Sequence, residues 1–138
     1  MNKMKDIGIR LTPQRMAILE YLEGNKEHPS AEDIYKDIIQ RFPTMSFATV
    51  YNTLETLKRI GNVRELTIDP VRKRYDPDTS SHHHMICTEC KRIYDVHIDI
   101  HVEIPDEQAD NFKVINNHIE FYGLCKECSK HDDYDIDQ

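Results

Sequence analysis

No apolar run in the 138-residue chain approaches the roughly 18 residues that a membrane-crossing helix needs, and its start, MNKMKDIGIR, lacks the apolar core of a secretory signal. Both absences predict a cytoplasmic protein. Cysteine is scarce as well: four residues, arranged as two CxxC pairs. In a reducing compartment such pairs point to metal or redox chemistry rather than to a disulfide framework. No internal repeat or low-complexity segment is present, and the length suits one ordinary domain or two small ones.

The net charge of −7 would argue against nucleic acid if it were spread evenly, but it is not. Residues 1–75 carry 13 Lys and Arg against 10 Asp and Glu, a net of +3, whereas residues 76–138 carry 5 against 15, a net of −10. A polyanion can therefore meet the first half, while the second half repels it and has carboxylates to offer cations.

Thr12 followed by Pro13 has the form of a helix N-cap with proline at the first helical position, and Met16, Ile18, Leu19 and Leu22 make an apolar face that stops at Gly24. Ser30 caps a second predicted helix with Ile34, Tyr35, Ile38 and Ile39 in one stripe, broken at Phe42-Pro43. Ser46 opens a third, on which Phe47, Val50, Leu54, Leu57 and Ile60 recur at helical spacing before Gly61. Its opposite face holds Thr49, Asn52, Thr53 and Thr56 at i, i+3, i+4 and i+7, a polar ridge without acidic groups. Residues 63–68 and 71–75 then read as a hairpin turned at Asp69-Pro70, with Arg72, Lys73 and Arg74 on the second strand.

Three short helices and a basic hairpin predict a winged helix-turn-helix over residues 1–76. The set meeting double-stranded DNA is Thr49, Asn52, Thr53 and Thr56 on the third helix, toward bases, with Tyr51 beside them, and Arg72, Lys73 and Arg74 on the hairpin, toward phosphates. A plain helical bundle with solvated charges is the bland alternative.

From residue 83 the period becomes strand-like in HMIC, RIYDVHI and FKVINNHIEFYGLC. Residues 77–138 are thus predicted to form a small domain with an antiparallel sheet and one short helix, giving an α+β class overall. Its exposed edge and face invite pairing with a second copy. The tail DDYDIDQ reads as a solvated acidic end.

The spacing of Cys87 with Cys90 and of Cys125 with Cys128 lets two thiolates grip one tetrahedral ion, and two such pairs complete a closed structural zinc site. The 34 residues between the pairs leave room for strand, helix and strand. A redox disulfide is the competing reading; two symmetrical pairs at element ends favour structure. The neighbouring histidines belong to different chemistry. Residues two apart on a strand share a face, so His82 and His84 converge while His83 points the other way. Asp95 lies on the following strand within cross-strand reach of His84, and Asp76 closes the hairpin at the hinge. Imidazoles and carboxylates without thiolate suit Fe²⁺ or Mn²⁺ better than a permanent zinc.

In this order, LTPQRMAILEYL, HPSAEDIY, ATVYNTL, RYD, HHHMIC, CTEC, YG and CKEC resemble the ferric uptake regulator (Fur) family, and most of all its PerR peroxide-sensing branch. The resemblance spans nearly the whole chain. It implies a homodimeric metal-dependent repressor with an N-terminal winged helix and a C-terminal dimerisation domain. It also implies that His28, Asp76, His82, His84 and Asp95 hold the regulatory ion and that the four cysteines hold zinc. Asn52 after ATVY, where iron regulators usually have arginine, and Asp95, where they usually have glutamate, favour the peroxide branch. As in some relatives, His83 could join His118 and either His101 or Glu103 at a further metal site; His97 and His131 read as ordinary surface.

Two functional readings follow. In one, peroxide reacts at Fe²⁺ and oxidises His28 or His82, releasing DNA; in the other, a repressor of the same family responds reversibly to iron, manganese or zinc. An enzyme is disfavoured, because no H-x-E precedes a P-C-x-x-C and a four-thiolate site leaves no open position for water. Neither a membrane nor a small-molecule substrate is expected as a partner.

Overall fold

The computed structural model describes residues 10–130, so the acidic tail, His131 and most of the opening segment lie outside the described residues. The chain divides into two compact units, residues 1–80 and 81–138.

In the first unit, α1 (Pro13–Leu22) begins where Thr12 accepts the Arg15 N–H at 3.2 Å. α2 (Ala31–Ile38) opens with a capping box, in which Ser30 and Asp33 each bond the other's backbone N–H. α3 (Phe47–Arg59) starts at Ser46, whose hydroxyl accepts the Thr49 N–H, and stops before Gly61 at φ +80°. Ala17, Ile18, Leu22, Ile34, Ile38, Val50, Leu54 and Leu57 form the core between them. Met16, Phe47 and Ile60, expected on the apolar faces, are instead substantially exposed. They stand at the margins of their stripes, and Ala17 takes the place expected of Met16.

The hairpin is shorter than its sequence suggests. β1 (Arg64–Leu66) pairs antiparallel with β2 (Arg74–Asp76), Glu65 opposite Tyr75, and residues 67–73 form the connection. Pro70 has no N–H to give a ladder, and Asp69 accepts the Val71 N–H at 2.8 Å, which bends the chain instead.

In the second unit, β3 (His83–Cys87) is the central strand of three, flanked by β4 (Ile93–Val96) and β5 (Glu120–Gly123). β3 and β4 are antiparallel, as expected, but β5 runs parallel to β3, Glu120 beside His84. The expected wholly antiparallel sheet is thus a mixed one. The long connection carrying α4 (Asp106–Ala109) crosses over before the chain returns, which is the connection a parallel pair requires. α5 (Lys126–Ser129) follows β5 and begins at Cys125.

Candidate metal centres and DNA-facing surface

The four thiols meet where the β3–β4 turn faces the end of β5. Cys90 donates its backbone N–H to the Cys87 sulfur at 3.5 Å, and Lys91 at φ +67° completes the knuckle. Thr88 bonds the Gly123 carbonyl through its N–H at 2.8 Å, tying this knuckle to β5. The four Sγ atoms lie within 4.8 Å of one another, and Cys90 Sγ stands 3.8 Å from Cys125 Sγ. Sulfurs about 2.3 Å from a tetrahedral zinc are about 3.8 Å apart, so the cluster fits that ion. Burial opposes ionisation of Cys87, but N–H groups of Cys125, Cys90 and Glu89 outweigh it and lower its pKa to about 6. The Cys128 thiol is pushed up to about 12, first by its contact with Cys87. Crowding thus opposes ionisation of Cys128, and a central dication would allow all four to be thiolates.

Each unit also holds buried imidazole against carboxylate. In the first, His28 Nε2 lies 3.5 Å from Asp76 Oδ2, both side chains almost fully enclosed. His28 adopts φ +54°, uncommon for a residue with a Cβ. In the second, Asp95 is the cross-strand partner of His84, and one of its oxygens lies 3.2 Å from His82 Nε2 and 3.4 Å from His84 Nε2. Donors about 2.1 Å from a common ion are about 3.0–3.4 Å apart in octahedral or tetrahedral geometry, so each of these nitrogens stands at metal-ligand spacing from the Asp95 oxygen.

His83 takes a different course. Its Nδ1 accepts the Ile119 N–H at 3.0 Å, fastening the segment before β5. The further metal site suggested for His83, His118, His101 and Glu103 is not assembled: among the described residues these four do not form a metal-binding group, and His101 and Glu103 pair with each other in the open at 3.4 Å. His118 turns to His84 instead, Nε2 to Nδ1 at 2.8 Å. Sequence reasoning passed over His97, which stacks on His82 with ring centroids 4.9 Å apart. Its position two residues after Asp95 was the available signal.

On the winged unit, Thr49 and Asn52 are exposed and Thr56 is half-buried, its hydroxyl turned to the Asn52 carbonyl. Tyr51 packs against the core and stacks on Phe47. Two expected DNA contacts are corrected. Thr53 is buried, with its hydroxyl on the Thr49 carbonyl at 2.8 Å. Arg74 is buried too, its guanidinium 2.9 Å from Asp69 and bonded to the His28 carbonyl at 3.0 Å. Arg72 and Lys73 stay exposed. Arg10 and Arg15 share a groove of about 660 Å³ with Gln14, Thr49 and Asn52, adding two cations to those expected on the hairpin.

A winged-helix unit followed by a small sheet unit rich in thiolate and imidazole defines the class. The ferric uptake regulator family model matches residues 6–122, and the chain belongs to that family. It is 45% identical over 133 residues to the Peroxide operon regulator of Bacillus subtilis (strain 168), covering 95% of this chain and 92% of that one. Among solved structures, a ferric uptake regulator from Francisella tularensis with iron superposes with TM-score 0.70 at 26% identity, covering 88% of this chain and 96% of that one. PerR from Streptococcus pyogenes, described with peroxide sensing and gene regulation, gives TM-score 0.50 at 35% identity, with coverages of 91% and 87%.

Proposed function

We propose that the protein is a metal-dependent transcriptional repressor that responds to hydrogen peroxide. The observation that carries this reading is the convergence of His82 and His84 on one Asp95 oxygen, in a chain so similar to a peroxide operon regulator. Zinc held by Cys87, Cys90, Cys125 and Cys128 is the structural ion. The regulatory ion, Fe²⁺ or Mn²⁺, takes His28 and Asp76 from the first unit and His82, His84 and Asp95 from the second, a set of nitrogen and oxygen donors without thiolate.

Residues 1–76 bind operator DNA: Thr49 and Asn52 face bases from α3, and Arg72 and Lys73 meet phosphates. Residues 77–138 form a homodimer. Ile98, Val102, Ile104, Phe112, Val114 and Ile115 are each about half exposed or more, a large apolar surface for so small a unit. The protein works in the cytoplasm.

Fe²⁺ held by these residues would supply the redox chemistry that cleaves peroxide, and His28 and His82, as its ligands, would be the imidazoles open to oxidation; an imidazole that has gained oxygen is a poorer ligand. The protein is consumed as a sensor and has no turnover as an enzyme.

The test is anisotropy of a labelled duplex, selected from a random-sequence pool in Mn²⁺, titrated with zinc-loaded protein. His82→Ala and His84→Ala should each abolish Mn²⁺-dependent binding with zinc content unchanged. His83→Ala should keep it, at a stability cost of about 1 kcal/mol for the lost Ile119 hydrogen bond. Metal-dependent binding that survives both substitutions refutes the ligand set.

A further inference from the structure

We infer that His118 is a positioning residue for the regulatory ion: its imidazole accepts the Nδ1–H of His84 and so holds His84 in the tautomer that presents Nε2 to the metal. The inference rests on the ligand role proposed above for His84. Side chains two apart on extended chain share a face, so His118, Glu120 and Tyr122 line up along β5 and the residues before it. The parallel register sets Glu120 beside His84. His118 Nε2 lies 2.8 Å from His84 Nδ1, His118 Nδ1 lies 3.7 Å from one Glu120 oxygen, and the Tyr122 hydroxyl donates to the other.

Two imidazole nitrogens at this distance share one proton, so one ring donates and the other accepts. Were His84 the acceptor, its proton would sit on Nε2, the nitrogen 3.4 Å from Asp95, and that nitrogen would have no lone pair for a metal. Glu120 favours one direction: its carboxylate, 3.7 Å from His118 Nδ1 and so beyond hydrogen-bond distance, draws the His118 proton toward that nitrogen by charge. An ion on His84 Nε2, in place of a proton facing Asp95, requires the same direction, with His84 donating from Nδ1 to His118 Nε2. This is the carboxylate–histidine arrangement behind a metal ligand, lengthened by one imidazole. His83 is engaged elsewhere, its Nδ1 accepting the Ile119 N–H. His84 is fully buried while His118 and Glu120 are each about one-third exposed, so the row leads from an enclosed ligand to the surface.

The experiment uses full-length, zinc-loaded protein. Long-range ¹H–¹⁵N correlation spectra without the regulatory ion report the His84 tautomer, and Mn²⁺ electron paramagnetic resonance reports affinity. The wild-type spectrum should show His84 protonated on Nδ1. His118→Ala should lose that preference and bind Mn²⁺ about 10- to 100-fold more weakly, with zinc unchanged. His118→Gln, whose carboxamide oxygen can accept the same proton, should restore most of the affinity, and Glu120→Gln should fall between. A wild-type His84 protonated on Nε2 overturns the inference without any variant, even where His118→Ala does not fold. Unchanged Mn²⁺ affinity in His118→Ala overturns it as well, provided His84→Ala loses the metal. Should His84→Ala itself keep wild-type affinity, the ligand assignment has failed, and the inference with it.

Discussion

Arg72 and Arg74 stand two residues apart in a run of three cations, yet their surroundings give them opposite work. Arg72 is exposed, whereas Arg74 is enclosed against Asp69 and fastens the His28 carbonyl. Replacing Arg72 or Lys73 by alanine should weaken binding to every DNA sequence and lower the salt slope by about one per residue, as a phosphate contact does. Arg74→Ala should destabilise the winged unit by about 3–5 kcal/mol, because it strands a buried carboxylate, and urea unfolding measures this. Burial works against the Asp69 carboxylate, but the Val71 N–H and the Arg74 guanidinium outweigh it and hold its pKa below the usual value. A lowered folded-state pKa adds stability that is complete above the unfolded carboxyl value of about 3.9 and is lost as pH falls through the lower folded value. Wild type should therefore lose stability on acidification below about pH 4, and Asp69→Asn should flatten that part of the profile. If Asp69→Asn unfolds with the wild-type acid dependence, the pair does not hold the hairpin.

At the scale of elements, capping chemistry made the helices legible: Thr12, Ser30 and Ser46 each start a helix where the sequence places it. The cysteine pairs were legible because two-residue spacing is itself a geometric constraint. His82, His84 and Asp95 were legible from strand alternation, which does put both imidazoles on one carboxylate oxygen. What could not be read depends on partners distant in sequence. Arg74 is enclosed only because Asp69 and His28 come to it, and Thr53 because α3 turns that side inward. β5 is parallel because of a crossover that no local pattern records. Thr88 joins the first knuckle to β5, so the proposed zinc at the four cysteines would fasten that edge strand to the sheet. Cys125→Ser should cost the protein its tightly held zinc and melt β5 from β3, read as lost zinc stoichiometry and a lowered thermal midpoint. A Cys125→Ser protein that keeps one zinc per chain and the wild-type midpoint contradicts the four-thiolate site.

For the whole molecule, the proposal divides labour between two ions: zinc maintains the second unit, and the regulatory ion reports peroxide. Chelation strong enough to strip zinc should dissociate the proposed dimer, whereas removal of Mn²⁺ alone should leave it associated while releasing DNA; sedimentation velocity separates these outcomes. The most direct measurement of the central claim loads zinc-replete protein with Fe²⁺ or Mn²⁺, binds it to the selected duplex, adds hydrogen peroxide, and follows DNA release together with peptide mass. The Fe²⁺ form should release DNA as a single oxygen appears on His28 or His82, and the Mn²⁺ form should remain bound and unmodified. If both forms respond alike, or if oxygen is added only at cysteine and methionine, peroxide sensing through ligand oxidation is contradicted and reversible metal occupancy becomes the signal.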